Sequence, residues 1–209
     1  MTGRRTRIIL WRHGQTDYNL ENRFQGQADV PLNETGLAQA HEAAGILARM
    51  SVDALVTSPL SRAVATVETL ASSLDLPVNL DERLMEISVG SWEGMLADEV
   101  YRLHPDFSEA LRDGRDARRS PQGETAVEVG LRVGAAIRDI AASHPAETVV
   151  LGCHGLAIRM GVANVLGWDY PVSTTLASMH NCAWTVLVAR ATGDWKLVSW
   201  NQVAASPLT

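Results

Sequence analysis

Short apolar runs alternate along the chain with stretches in which apolar residues recur every third or fourth position, which predicts strands interleaved with helices. Arg7 to Trp11 is a β-rich run that stops at Arg12-His13-Gly14, a buried strand ending in a tight loop. Leu37, Ala40, Ala44, Leu47 and Ala48 then fall at helical spacing, with Asn33 or Thr35 placed to cap the helix. Ala54 to Thr57 reads as a second strand. Ser58-Pro59 reads as the start of the next helix, Ser as cap and Pro at the first helical position, and that helix runs to about Leu74. Val78 to Asp81 is a third short strand, and Glu82 to Gln122 shows only short helical patterns. From Glu124 to Ser143 the positions Val127, Leu131, Ile137, Ile140 and Ala141 predict a long helix, although Gly130 and Gly134 weaken it. Thr148 to Cys153 is a strand that breaks at His154-Gly155, and a helix follows to Leu166. Ala183 to Ala189 and Trp195 to Trp200, joined through Arg190 to Asp194, predict a closing hairpin.

The expected fold class is α/β, a three-layer α/β/α sandwich on a mostly parallel mixed sheet with helices on both faces. A length of 209 residues suits one domain, 1–209, with a lid-like subregion at Met95 to Gln122. The net charge of −6 argues against nucleic acid or an anionic membrane surface as partner, so any anion site must be local. The apolar run after Arg4, Arg5 and Arg7 is too short for an export signal, and no run of about 18 apolar residues occurs to span a membrane. Two cysteines, Cys153 and Cys182, cannot build a disulfide framework, which points to a reducing, cytoplasmic setting.

In open α/β sheets ligands bind beyond the carboxyl ends of strands. Three such ends carry unusual residues here: Arg12-His13-Gly14, Ser58-Pro59-Leu60-Ser61-Arg62 and Cys153-His154-Gly155. Two arginines and two histidines around a helix N-terminus make a cradle for phosphate, because guanidinium groups offer planar forks and the helix end adds N–H donors. Cys153 beside His154 could be a thiol nucleophile, but its place at the end of an apolar strand fits a small core residue better. His41-Glu42-Ala43-Ala44-Gly45 begins like a zinc-protease helix and lacks the second histidine, and nucleotide-binding glycine loops are absent, so no metal or nucleotide cofactor is expected.

Leu10-Trp11-Arg12-His13-Gly14-Gln15-Thr16 resembles the signature of the histidine phosphatase superfamily, the phosphoglycerate-mutase-like proteins. Asn19, Phe24-Gln25-Gly26, Thr35-Gly36, Ser58 to Ala63, Leu84-Met85-Glu86, Gly90 to Gly94, Pro121 to Thr125 and His154-Gly155 resemble family segments in family order, so the likeness covers nearly the whole chain. The resemblance implies that neutral His13 is the nucleophile and carries a phosphohistidine. It implies that Arg12, Arg62 and His154 clamp the phosphoryl oxygens, and that Glu86 is the proton donor. Asn19, Gln25 and Gly155 match substrate-binding positions. Glu93 is the natural confusion with Glu86, and His180 lies just before Asn181-Cys182 in a region that can border the pocket in the family. Trp11 stands where the family often has a smaller side chain, which leaves open whether it reshapes the pocket floor.

The activity so implied is metal-independent hydrolysis of a small phosphorylated metabolite, a sugar phosphate or phosphoglycerate. Gln15 to Asn19 and Asn181 to Thr185 resemble segments of the actinobacterial glucosyl-3-phosphoglycerate phosphatases and of relatives with broader phosphomonoesterase activity. One alternative is a phosphoglycerate mutase, which would need 2,3-bisphosphoglycerate; the short stretch from Met95 to Gln122 argues for the phosphatase. A non-catalytic phosphate-binding module is the second alternative. Arg112, Arg115, Arg118 and Arg119 are read either as a solvated run or as a lid grasping a second anion. Homodimers are common in the family, which leaves a homodimer open.

Overall fold

A computed structural model describes residues 4–190 and 193–204. In chain order the elements are β1 (Arg7–Arg12), α1 (Asp17–Leu20), α2 (Glu34–Leu47), β2 (Ala54–Thr57), α3 (Ser61–Leu74), β3 (Val78–Leu80), α4 (Ala97–Leu103), α5 (Pro105–Arg112), α6 (Ala126–Ser143), β4 (Thr148–Cys153), α7 (Gly155–Leu166), α8 (Tyr170–Ser173), β5 (Trp184–Ala189) and β6 (Trp195–Gln202). The six strands form one sheet in the order β3-β2-β4-β1-β5-β6. Pairing is parallel from β3 through β1, whereas β5 runs antiparallel to both β1 and β6. The mixed sheet and the closing hairpin are as expected, and positions 191 and 192 of its turn lie outside the described residues.

Strand alternation explains the layers. On β1, Ile8 and Leu10 join Val149, Leu151 and the apolar face of α6 and α7 in one core. Ile9 and Trp11 point the other way, into a second core with Leu55, Val150 and residues of α2 and α3. A strand buried on both sides reads as a continuous apolar run, as Ile8 to Trp11 and Val149 to Cys153 do, and both runs are found to be buried. Trp11 is fully buried in this second core, packed with residues of α2 and α3, and donates from Nε1 to the Cys182 carbonyl at 3.0 Å.

Several helix faces differ from expectation. Leu37 is 45% exposed, and α2 instead buries Ala40, Ala43, Ala44 and Leu47. On α6, Val127 and Leu131 are 45% and 59% exposed. The glycines that weaken α6 as an isolated helix are what let it pack: a Cβ at Gly130 would lie 3.0 Å from the Met160 carbonyl oxygen, and one at Gly134 would lie 2.1 Å from Asn164 Oδ1. The face of α6 that packs on α7 therefore combines these glycines with buried Val129, Val133 and Ile137, and Val127 and Leu131 fall outside it. Asn33, not Thr35, caps α2, accepting from Gly36 N at 2.9 Å.

The loop after β1 lies backbone against backbone on the start of α2. A Cβ at Gly14 would sit 2.3 Å from the Gly36 carbonyl oxygen, and one at Gly36 would sit 2.1 Å from the Gln15 carbonyl oxygen. Neither backbone can yield without moving the residue beside it, His13. We expect Gly36→Ala to lower stability by roughly 3 kcal/mol, overpacking outweighing the better helix propensity of Ala; denaturant unfolding checks this, and a neutral result would mean the contact relaxes freely.

Candidate active site

In the sheet order β2-β4-β1, the ends of three adjacent parallel strands lie side by side. Strand spacing of roughly 4.8 Å gathers the loops leaving these ends into one crevice. Connections leave β1 toward β2 on one side and β4 toward β5 on the other, so this is where the strand order reverses. A cleft of about 320 Å³ opens there, lined by Arg12, His13, Asn19, Gln25, Arg62 and Glu86 among others.

His13 follows β1 and is 3% exposed. Its backbone N–H donates to the Cys153 carbonyl at 3.1 Å, and its carbonyl accepts from Cys182 N at 3.1 Å, so main chain from both neighbouring strand regions fixes it. Nδ1 lies 2.7 Å from the Gly14 carbonyl oxygen. A carbonyl only accepts, so the proton sits on Nδ1 and Nε2 keeps its lone pair. Burial holds the ring well below the usual histidine range, and the charges of Arg12 and Arg62 push the same way.

His154 stands at the N-cap of α7, fully buried, with its ring centroid 5.2 Å from that of His13 and its Nε2 2.8 Å from Ser58 Oγ. Its Nδ1 has no partner. It too is held well below the usual range, by burial first and then by Arg62, His13 and Arg12. Ser58 is thus occupied by His154 and does not cap α3. That helix starts at Ser61, whose backbone N–H donates 2.7 Å to the Asp29 carboxylate, a cap supplied from a distant loop.

Arg62, in the first turn of α3, is completely buried and donates from Nη1 to the Ala28 carbonyl at 2.7 Å and from Nη2 to the Gly26 carbonyl at 2.8 Å. Arg12 donates to the Met179 carbonyl. The Nε of each arginine is buried without a protein partner. Two guanidinium groups with unused donors beside a neutral imidazole form a site for a dianionic oxyanion.

Glu86 spans the cleft to α7. Its carboxylate accepts from Ile87 N at 2.9 Å, Ala157 N at 3.0 Å and Leu156 N at 3.2 Å. Arg132 holds the segment from behind, donating to the Met85 carbonyl at 2.6 Å and the Glu86 carbonyl at 2.9 Å while paired with Glu124 at 2.9 Å. Arg132 escaped sequence reasoning, since nothing local marks one helix arginine among several. Glu93 is exposed and accepts from Gln27 N, so the two glutamates separate cleanly.

Gln25 is buried with Oε1 unpartnered, and Asn19 Oδ1 is taken by Asn181 Nδ2 at 3.1 Å. Gly155 lines a smaller neighbouring depression of about 220 Å³ together with Arg12 and Glu86. His180 is exposed and lines a separate depression with Gln39 and Cys182. The arginine run splits: Arg119 is buried and lines the cleft, held by Asp116 at 2.8 Å, whereas Arg112, Arg115 and Arg118 are exposed. Cys153 donates to the Leu84 carbonyl and burial pushes its thiol up to about 12, which fits a core residue and not a thiolate. Arg23, Arg159, Tyr101, Phe107 and Tyr170 also line the cleft and were not anticipated. Among the described residues no group of three or more His, Cys, Asp or Glu is gathered to hold a metal, and no helix is long and apolar enough to cross a membrane.

The two buried histidines give stability a pH dependence of definite sign. Above 6.5 they are neutral in both folded and unfolded chains; below it the unfolded chain takes up two protons that the folded one refuses. Stability therefore falls as pH falls, by up to about 2.7 kcal/mol per pH unit for the pair. Urea midpoints at about pH 7 and about pH 5.5 check this, and a shallower slope is expected for His154→Gln.

The profile of the histidine phosphatase superfamily (branch 1) matches residues 8–203. The chain belongs to that superfamily. Curated relatives include a glucosyl-3-phosphoglycerate phosphatase of Mycolicibacterium vanbaalenii, 36% identical over 95% of both chains. They also include a probable phosphoglycerate mutase of Cronobacter sakazakii, 34% identical over 84% of this chain and 81% of that one. Among solved structures, a mycobacterial glucosyl-3-phosphoglycerate phosphatase in complex with VO3 superposes with a TM-score of 0.85 at 35% identity, covering 93% of this chain and 98% of that one. The three-layer α/β sandwich and the phosphatase class expected for this histidine phosphatase both stand.

Proposed function

We propose that this histidine phosphatase hydrolyses phosphate monoesters of the phosphoglycerate or sugar-phosphate kind through a phosphohistidine on His13. The observation that carries the reading is the tautomer: Gly14 fixes Nδ1, so Nε2 is the free nitrogen, and the ring is neutral beside two guanidinium groups. In the first step Nε2 attacks phosphorus, the ester P–O bond breaks, and Glu86, as proton donor, gives a proton to the departing oxygen. In the second, water attacks phosphorus while the Glu86 carboxylate takes its proton. The P–N bond then breaks, its electron pair returns to Nε2, and inorganic phosphate leaves. Arg12, Arg62 and His154, through Nδ1–H, hold the phosphoryl oxygens, with Asn19, Gln25 and Gly155 as secondary contacts. Guanidinium groups meet the charge, so the reading requires no metal.

Hydrolysis is preferred to mutase chemistry because the phosphatase relative matches over more of both chains than the mutase does. The stretch from Met95 to Gln122, carrying α4 and α5, acts in this reading as a lid on a single domain, its Tyr101, Phe107, Leu111 and Arg119 facing the cleft. Two buried, unpaired cysteines suit a cytoplasmic setting.

The test is an alkaline quench during turnover of a radiolabelled ester. Label on the His13 peptide that survives base and is lost in acid is expected, and acid-stable label or label elsewhere would overturn the reading. We further expect Glu86→Gln to lower kcat/KM for an alkyl phosphate by about 10²–10⁴-fold and for p-nitrophenyl phosphate by less than about tenfold, since nitrophenolate leaves without a proton. Slow hydrolysis of the phosphoenzyme then gives a burst of one nitrophenol per site.

A further inference from the structure

Five arginines line the cleft, Arg12, Arg23, Arg62, Arg119 and Arg159, against a single carboxylate, Glu86. A phosphoryl group engages Arg12 and Arg62 in the reading above, and the other three call for separate explanations. Arg23 is paired with Glu21 at 2.5 Å and donates to the Gly94 carbonyl at 2.8 Å. Arg119 is paired with Asp116 and lies over the Phe107 ring, 5.7 Å from its centroid. Arg159 has no such partner: its Nε is buried and unpaired, and no hydrogen bond or ion pair to it occurs among the described residues.

Arg159 lies on α7 four residues beyond Gly155, hence on the same helix face and roughly 6 Å further from the phosphate end. It also lines the smaller depression shared with Arg12 and Glu86. The side chain is half-buried with no hydrogen-bonded protein acceptor, so an anion arriving there meets a guanidinium fork that no protein group occupies. Desolvation lowers its pKa, Tyr170 and Glu86 oppose that shift, and Arg119 adds to it. In the main cleft Leu156, Tyr170, Phe107 and Leu111 add apolar and aromatic lining. With Arg119 committed to Asp116, one uncommitted planar fork matches a singly charged carboxylate better than a second phosphate, which would need more than one cation.

We propose that Arg159 is the docking group for a carboxylate on the alcohol half of the substrate, so that the enzyme selects carboxylate-bearing phosphomonoesters. This rests on the phosphatase reading and narrows its substrate class. The experiment compares 3-phosphoglycerate with glycerol 3-phosphate, which differ in a carboxylate against a hydroxymethyl group, and reads the ratio of their kcat/KM values. For Arg159→Met that ratio falls about 30-fold or more, as loss of a charged hydrogen bond implies, and Arg159→Lys restores part of it by keeping charge without the fork. The melting temperature of the free Arg159→Met protein stays level, because no hydrogen bond within the protein has been removed. An unchanged ratio, or a fall in that melting temperature, would overturn the proposal. Hydrolysis of neither ester by the wild-type enzyme would instead count against the phosphatase reading, so the two failures are distinguishable.

Discussion

His13→Ala is expected to lower kcat for p-nitrophenyl phosphate by at least about 10⁴-fold, to the level of the remaining electrostatic site, because the covalent route is lost altogether. His13→Asn is the sharper control. Its side-chain amide can still donate to the Gly14 carbonyl as Nδ1 does, so the loop after β1 stays in place while the attacking nitrogen is gone. Equal loss in both variants, without trapped label, assigns the effect to Nε2. Activity retained in His13→Asn within about tenfold of wild type would show that chemistry runs through another group, such as direct attack by water on a phosphoryl group held by the arginines.

Arg62→Met is expected to cost about 10³-fold in kcat/KM for every phosphomonoester, independent of the alcohol, since the guanidinium acts on charge developing at phosphorus. It differs from the histidine variants in a second measurement. Arg62 also satisfies the carbonyl oxygens of Gly26 and Ala28, and both lose a charged donor in a protected place. A stability loss of roughly 2–4 kcal/mol should therefore accompany the kinetic loss. Arg62→Lys keeps charge and can reach at most one of the two carbonyls comfortably, so it should recover part of each effect. A variant that lost stability and kept full kcat/KM would show that Arg62 is a loop tie and no part of the phosphoryl clamp.

The order of strands and helices was legible because periodicity reports burial locally: Ile8 to Trp11 and Val149 to Cys153 are apolar runs since each is covered on both sides. Which face a helix buries was less legible. Leu37, Val127 and Leu131 carry the expected hydrophobicity, but the buried face of α2 is built from Ala40, Ala43, Ala44 and Leu47 and that of α6 from Val129, Val133, Ile137 and Ile140 around two glycines, which leaves the three outside. Ser58 shows the same limit at one residue. Ser before Pro has the chemistry of a helix cap, yet a histidine 96 positions away takes its hydroxyl, and Asp29 caps the helix instead.

By itself the sequence determined the strand ends, the residues that stand on them and, through the joint pattern from Arg12 to Gly155, the family. Those are matters of spacing along the chain, set by covalent order and by the periods of strand and helix. Only the tertiary structure decided the proton on Nδ1 of His13, the separation of Glu86 from Glu93, the hold of Arg132 on Glu86 and the isolation of Arg159. Each of these depends on which groups from distant segments exclude water together. Desolvation and hydrogen-bond satisfaction are properties of that enclosure, and a linear pattern does not contain them.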